Sequence, residues 1–586
     1  MHSQKLAPSA LSPVYPSLIT NTTGGPLCPW TLGQDRSLDA WALFERCDGQ
    51  HLFLTQFPGF DGEALVQSLY DRLPLVNAPG VLASIEQEDR QALVKLTAEQ
   101  WQKRLNNDDS PLGENDKLTA LVELMPLRFV DQPLSRRTLL GNVDKNGAYH
   151  AGLLSSCEVL VIPAEGLLEK PSRWFMVKEA LKRGYIAFSG SPIRIPVCCK
   201  VVILGDVMDH DTLHAVDPSF AGLFSLVGES QSEWFVDKEE DAQRWALGAQ
   251  SIAKQYCGRP LSDEALTRLA RYASRLCEHQ GRLSLAWHEL GLLLGQCEGS
   301  GAVSLAQLQQ AILAQEARHN SVEIYAQRNV EEALVRVDTE GERTGQINGL
   351  TVVDYCGHSY GEPARITVSV HYGDGEVADI ERKSELGGNI HAKGMMILSA
   401  CLYRIFGQDE PLHLSANIVF EQSYQTIDGD SASLAEYCCL ISTIANVPVK
   451  QGLALTGAID QFGNVQAIGG INEKIEGFFH LCRYRGLTGE QGVILPRANT
   501  RQLNLSDEVI EAVAAGQFHL YQVDAVEEAL MLLTGREVGQ ADEDNRFDEK
   551  SLYGLVQQRL DRMAGNDEPL PPSWWRRALD ALFDRS

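Results

Sequence analysis

Asp428-Gly429-Asp430-Ser431-Ala432-Ser433 follows an apolar run at residues 412–421 that has strand composition. It precedes residues 434–444, whose apolar side chains recur at helical spacing. Ser431 is therefore expected at a strand-to-helix corner. Backbone N–H groups near a helix N-terminus have no intrahelical acceptor there and can hold a developing oxyanion. Small neighbours, Gly429 and Ala432, let a substrate carbonyl approach. A serine hydroxyl becomes a useful nucleophile only when a base removes its proton.

The candidate base lies in Gly469-Gly470-Ile471-Asn472-Glu473-Lys474. The two glycines break the preceding strand, Asn472 is expected as the N-cap, and Ile471, Ile475, Phe478 and Phe479 give an apolar helical face. Lys474 then falls in the first helical turn. The positive end of the helix dipole and burial both disfavour an ammonium there, so a neutral amine can serve as a general base. Each motif alone is ordinary, since Asp and Ser cap many helices and most helical lysines are solvated. The pair with its flanks is more specific.

In these motifs, and in Asp338-Thr339-Glu340-Gly341-Glu342-Arg343 and Phe420-Glu421-Gln422-Ser423-Tyr424, the chain resembles the Lon protease family. The resemblance is to the branch whose serine motif reads G-D-S-A-S, as in a bacterial Lon-related protein, and is most specific over residues 337–535. It implies that Ser431 is the nucleophile and Lys474 its general base. Thr456, in Leu455-Thr456-Gly457, matches a family threonine that hydrogen-bonds the lysine. Asp428 matches an acidic position near the dyad or orders the loop, and Asp430 joins it as a supporting residue. His391 is a rival base, or a structural hydrogen-bonder.

The 586 residues suffice for two to four domains. A formal net charge of −27 argues against a general nucleic-acid binder. Thirteen cysteines without a C-x-x-C pair read as reduced thiols, giving a cytoplasmic expectation. The first thirty residues lack an apolar signal core, and no apolar run reaches the roughly 18 residues of a membrane span.

The N-terminal half reads as a strand at 51–55, a loop at 56–63 and a helix at 64–73, the architecture of a phosphate-binding loop. Its chemistry is missing. Gly62 and Glu63 stand where Gly-Lys would meet a phosphate, after Pro58 and Gly59. Pro163 and Ala164 follow the strand at 159–162, where two acids would hold Mg²⁺, with Glu165 one place late. No arginine occurs in residues 217–224, the segment resembling one that carries an arginine finger. Residues 30–320 thus resemble an AAA+ module with degenerate nucleotide motifs. Helices are expected at 89–105 and 115–127, as an insertion.

The expected organisation is an N-terminal arm (1–29), an α/β AAA+-like module (30–255), a helical subdomain and linker (256–334), an α+β Lon-type proteolytic domain (335–537), and a charged linker with an amphipathic tail (538–586). The tail, with Trp574, Trp575, Ala578, Leu579, Leu582 and Phe583 on one helical face, is expected to dock on the protein itself or on a membrane or partner.

The resemblance implies a serine endopeptidase, and the degenerate nucleotide motifs lead to the expectation that it acts on unfolded or flexible polypeptides without ATP hydrolysis of its own. It also implies a homo-oligomer, hexameric in the family. No cofactor is needed for the chemistry; ATP and Mg²⁺ are expected in the family, against motifs that are degenerate here. The alternatives are an ATP-dependent protease with unconventional nucleotide binding and a non-catalytic adaptor or scaffold.

Overall fold

The computed structural model describes residues 5–15, 18, 27–74, 80–87, 90–106, 117–145, 148–191, 193–373, 375–407, 412–424 and 426–565. They fall into two compact units, one of Tyr15–Ala273 with Arg282–Ala311, the other of Met1–Val14, Ser274–Gly281 and Ile312–Ser586.

The first unit is built on five parallel strands in the spatial order Leu226–Gly228, Leu52–Thr55, Lys200–Gly205, Cys157–Pro163, Met125–Phe129. Its central strands are apolar and buried along nearly their whole length, as strands covered on both faces must be. The helices expected within residues 89–127 are mostly strands. Val81–Gln87 pairs antiparallel with Arg90–Leu96 and with Lys117–Glu123, and among the described residues of this stretch only Ala98–Leu105 is helical. Leu118, Ala120, Val122 and Leu124 alternate with period two, a strand signal that overrides the weaker helical one. The arginine-free segment at 217–224 builds core. Asp217 accepts a hydrogen bond from Trp174 Nε1 (2.8 Å) and pairs with Lys178, while Phe220 stacks on Phe224.

The second unit contains β1 (Gln346–Tyr355), β2 (His358–Tyr372), β3 (Val377–Asp379), α1 (Asn389–Phe406), β4 (Leu414–Phe420), α2 (Ser433–Ala445), β5 (Leu453–Leu455), α3 (Ile471–Arg485), β6 (Gly492–Pro496), β7 (His519–Val523), α4 (Val526–Thr534) and α5 (Leu552–Ala564). The strands form one mixed sheet in the order β3-β4-β2-β1-β5-β6-β7. Pairing is antiparallel between β1 and β2 and between β2 and β4, and parallel from β1 through β5 and β6 to β7.

Side-chain alternation divides this sheet into two cores. Ile347, Leu455 and Ile494 face the side packed by α1, α2, α4 and α5. Leu350, Ala454, Val493 and Leu495 face the side packed by α3. The helix that follows Ser431 and the helix that carries Lys474 therefore lie on opposite faces. On its own face α3 rides directly on β2. A Cβ on Gly361 would fall 2.1 Å from the carbonyl oxygen of Glu473 and 2.7 Å from Lys474 Cα, and one on Gly477 would fall 2.1 Å from the carbonyl oxygen of Gly361. Only glycine at both positions permits this backbone-to-backbone crossing.

Two segments outside the strand core pack onto this unit. Lys5 bridges Tyr521, Leu6 N–H donates to the carbonyl of Leu520, and Leu6 and Leu11 are buried in the α3 core. The charged segment after Gly539 leads into α5, whose Tyr553 meets Tyr437 Oη to Oη at 3.1 Å in the other core. The tail at 571–583 lies outside the described residues. Among the described residues no helix is long and apolar enough to cross a membrane.

Asn472 is not the N-cap of α3. Gly470 takes that place at φ 64°, which glycine adopts without strain. Asn472 sits inside the first turn and is 1% exposed; its amide donates to the carbonyl of Gln502 (2.9 Å) and accepts from Asn504 N–H (2.7 Å). Asn472→Ala would strand both groups in the interior, at a cost of about 1–3 kcal/mol. The expected result is a lower urea midpoint with an unchanged slope.

Candidate active site

Ser431 lies two residues before α2. Its carbonyl accepts Gly457 N–H (2.8 Å) and the Thr456 hydroxyl (3.3 Å), while Leu434 N–H donates to the carbonyl of Gly457 (3.1 Å). The serine loop is thus zipped to the residues just beyond β5. On the other side Asp430's carbonyl accepts both the N–H and the hydroxyl of Ser433, and Ile459 N–H donates to that hydroxyl. Among the described residues the amides of Asp430, Ser431 and Ala432 have no protein acceptor. They are the donors available to an oxyanion at this corner.

Lys474 Nζ reaches across from α3 to lie 2.9 Å from Ser431 Oγ, joining residues 43 apart in sequence. The lysine is 3% exposed. Burial brings its pKa down to about 8, against the pull of Asp430, Glu473 and Glu278, whose charges favour the ammonium. An amine so placed can accept the serine proton near neutral pH.

The structure sorts the expected supporting residues. Thr456 is fully buried, and its hydroxyl bonds to the carbonyl of Ser431 instead of to Lys474. Asp428 orders the loop: its Oδ1 accepts N–H from Ile390 (3.0 Å), His391 (3.2 Å) and Gly429 (3.0 Å), closing the N-terminus of α1. Asp430, unlike Asp428, is among the acids whose charge reaches Lys474.

His391 is 2% exposed and occupied elsewhere. Its Nε2 lies 3.1 Å from Asp379 Oδ2 and 4.0 Å from Glu436 Oε1. Burial works against its charge, but Asp379, Glu436 and the Gly429 carbonyl outweigh this and hold its pKa above the ordinary value. Burial also pushes Glu436 to about 7. His391 therefore anchors the serine loop from beneath and is not the partner of Ser431. Nothing in the local sequence signals this cluster, because Asp379, His391 and Glu436 meet only in the fold.

The residues at the expected nucleotide loop form no phosphate cradle. A Cβ on Gly59 would fall 2.9 Å from both Ala286 Cβ and Glu289 Oε2, and one on Gly62 2.6 Å from Gln56 Oε1. Phe60 is buried, stacks on Phe57 and meets Trp30 edge-on; the Gly59 carbonyl accepts N–H from His288 and Glu289. Asp61 caps the helix Gly62–Arg72 through Ala64 N–H. Partial desolvation and then the charge of Asp61 hold Glu63 above the usual carboxylate range, and burial does the same to Glu289. Pro58 and Pro163 are exposed and Ala164 is buried.

A serine hydroxyl beside a buried amine, under free backbone donors, is the arrangement of a serine–lysine hydrolase. The model of the Lon protease (S16) C-terminal proteolytic domain matches residues 407–534, which include Ser431 and Lys474. The chain is 38% identical over 433 residues to a Haemophilus influenzae protein named "Putative Lon protease homolog", covering 71% of each chain. It is 39% identical over 410 residues to an Escherichia coli protein of the same name, covering 64% of this chain and 66% of that one. An archaeal Lon protease of Archaeoglobus fulgidus is 26% identical over 354 residues, 58% of this chain and 54% of that one. The chain belongs to the Lon protease family.

Asp428 gives a test of the loop. The amide of His391, joined by those of Gly429 and Ile390, holds its carboxyl below the usual carboxylate range. Its contribution is present above the unfolded-state pKa and lost as pH falls through the folded one. Asp428→Asn is expected to melt below wild type at pH 7, with the gap in Tm closing as the pH is lowered through that window.

Proposed function

We propose that the chain is an endopeptidase that hydrolyses peptide bonds of unfolded or flexible polypeptides through Ser431 and Lys474. The observation that carries this reading is the 2.9 Å contact of a buried, partly deprotonated amine with the serine hydroxyl. Lys474 takes the Oγ proton as Oγ attacks the peptide carbonyl, and the oxyanion is held by N–H groups of Asp430 to Ala432. The tetrahedral intermediate then collapses to an acyl-serine as Lys474 returns the proton to the leaving amine. Water repeats the sequence in reverse to free the acid. No metal enters these steps.

The first unit is read as an AAA+-like module spanning residues 30–255, with the helical subdomain at 256–334 and the proteolytic domain at 335–537. Supporting this, the loop at 56–62 leaves its strand where the strand order of the parallel sheet reverses, the place where such sheets bind ligands. Its residues do not fit a triphosphate with Mg²⁺. The loop is filled by Phe60 and crowded at Gly59 and Gly62, with Asp61, Glu63 and Glu289 where positive charge is needed. We therefore read the module as a scaffold or gate that hydrolyses no ATP. Folded substrates are then resisted, and flexible chains enter by diffusion. By family resemblance the protein assembles as a homo-oligomeric ring in the cytoplasm.

Ser431→Ala and Lys474→Ala should each abolish cleavage of a fluorogenic peptide while leaving circular dichroism unchanged, and the double variant should be little worse than either. Activity should rise with pH through about 8, as the ammonium of Lys474 loses its proton. Casein should be degraded equally with ATP, with a non-hydrolysable analogue and without nucleotide. Robust phosphate release coupled to destruction of a folded substrate would overturn the nucleotide part of this reading.

A further inference from the structure

The segment Ser274–Gly281 lies far from the dyad in sequence but belongs to the same compact unit. Arg275 is clamped to the first turns of α3. Its Nη2 donates to Glu473 Oε1 and to Glu476 Oε2, both at 2.7 Å. Its Nε reaches Glu473 Oε1 (3.2 Å), and its Nη1 reaches Glu476 Oε1 (3.0 Å) and the carbonyl of Asn504 (2.8 Å). Glu476 Oε1 also accepts Ser506 N–H at 2.8 Å. One guanidinium thus ties together two carboxylates a turn apart and the chain that packs beside them. Three residues on, Glu278 accepts the N–H of Gly470, the N-cap of α3.

Three carboxylates face the Lys474 amine: Asp430 from the serine loop, Glu473 from α3 itself and Glu278 from this segment. Each favours the ammonium, which cannot act as a base. Of the three, Glu473 has two guanidinium N–H groups on one oxygen of its carboxylate.

We propose that Arg275 is a positioning residue for the dyad: by holding Glu473 in a fork shared with Glu476, it screens that carboxylate from Lys474 and fixes the turn that carries the amine. This rests on Lys474 being the base of Ser431. Without Arg275, the carboxylate of Glu473 has no guanidinium across from it and acts on the Lys474 ammonium unscreened. Removing the Glu473 charge as well takes away what Arg275 screens.

The test is the pH dependence of fluorophosphonate labelling of Ser431 in the full-length protein, for wild type, Arg275→Gln, Glu473→Gln and the double variant. For Arg275→Gln the midpoint should move upward by about half to one pH unit, slowing labelling at pH 7 by about 3- to 10-fold. Glu473→Gln should move it downward, and the double variant should return it to or below the wild-type midpoint. A purely structural role would lower the rate without moving the midpoint and would not be rescued by removing Glu473. If Arg275→Gln fails to fold, the downward shift in Glu473→Gln and its absence in Glu476→Gln carry the test. Wild-type protein that labels normally, with the same midpoint in every folded variant, overturns the role of Arg275 alone. Wild-type protein that takes no label on Ser431 overturns the dyad, and this inference with it.

Discussion

A primary amine taken out of water and held against a serine hydroxyl is what the catalytic unit is arranged around. Burial favours the neutral form and the neighbouring carboxylates favour the charged one. The balance sets Lys474 near 8, so that about a tenth of the amine is neutral at pH 7. Deeper burial would free more base but leave the ammonium state costly to reach, and the proposed reaction needs both states in turn. One more unscreened carboxylate would hold the proton on the lysine throughout. The acids around Lys474 are thus part of its tuning.

That balance requires the amine to be in place to within a fraction of an ångström. The fold supplies this by using backbone where side chains would add slack. α3 crosses β2 at Gly361 and Gly477 with no side chain between them. The serine loop is pinned from above by Thr456 and Gly457, and from beneath by the His391 ring, which Asp379 and Glu436 hold. Asp428 adds the last restraint by capping α1. These groups keep Ser431 at a corner whose amides stay free.

Ser431 and Lys474 were legible because each sits in a short local motif, with small residues before a helical apolar pattern. The sheet strands flanking them were legible for the same reason. Asn472 misled because Gly-Gly and Asn are both end-of-helix signals, and only the left-handed backbone at Gly470 decides between them. The hairpin at 81–96 was missed because a short apolar run such as Ala92-Leu93-Val94 fits a helix or a strand until its partner is known. Thr456 was placed beside the dyad, but that its hydroxyl bonds the Ser431 carbonyl is a matter of a few ångströms that no motif encodes. Arg275, Glu278 and the cluster of Asp379, His391 and Glu436 were invisible for a deeper reason. They act across long stretches of chain, and sequence order carries no trace of such encounters.

Ser431 lies just before one helix and Lys474 in the first turn of another, and these helices pack in separate hydrophobic cores on opposite faces of one sheet. Local opening of either core separates hydroxyl from amine while much of the chain is still folded. Loss of labelling on heating is then a local thermometer, tracking the weaker core and running ahead of any probe that averages over the whole molecule.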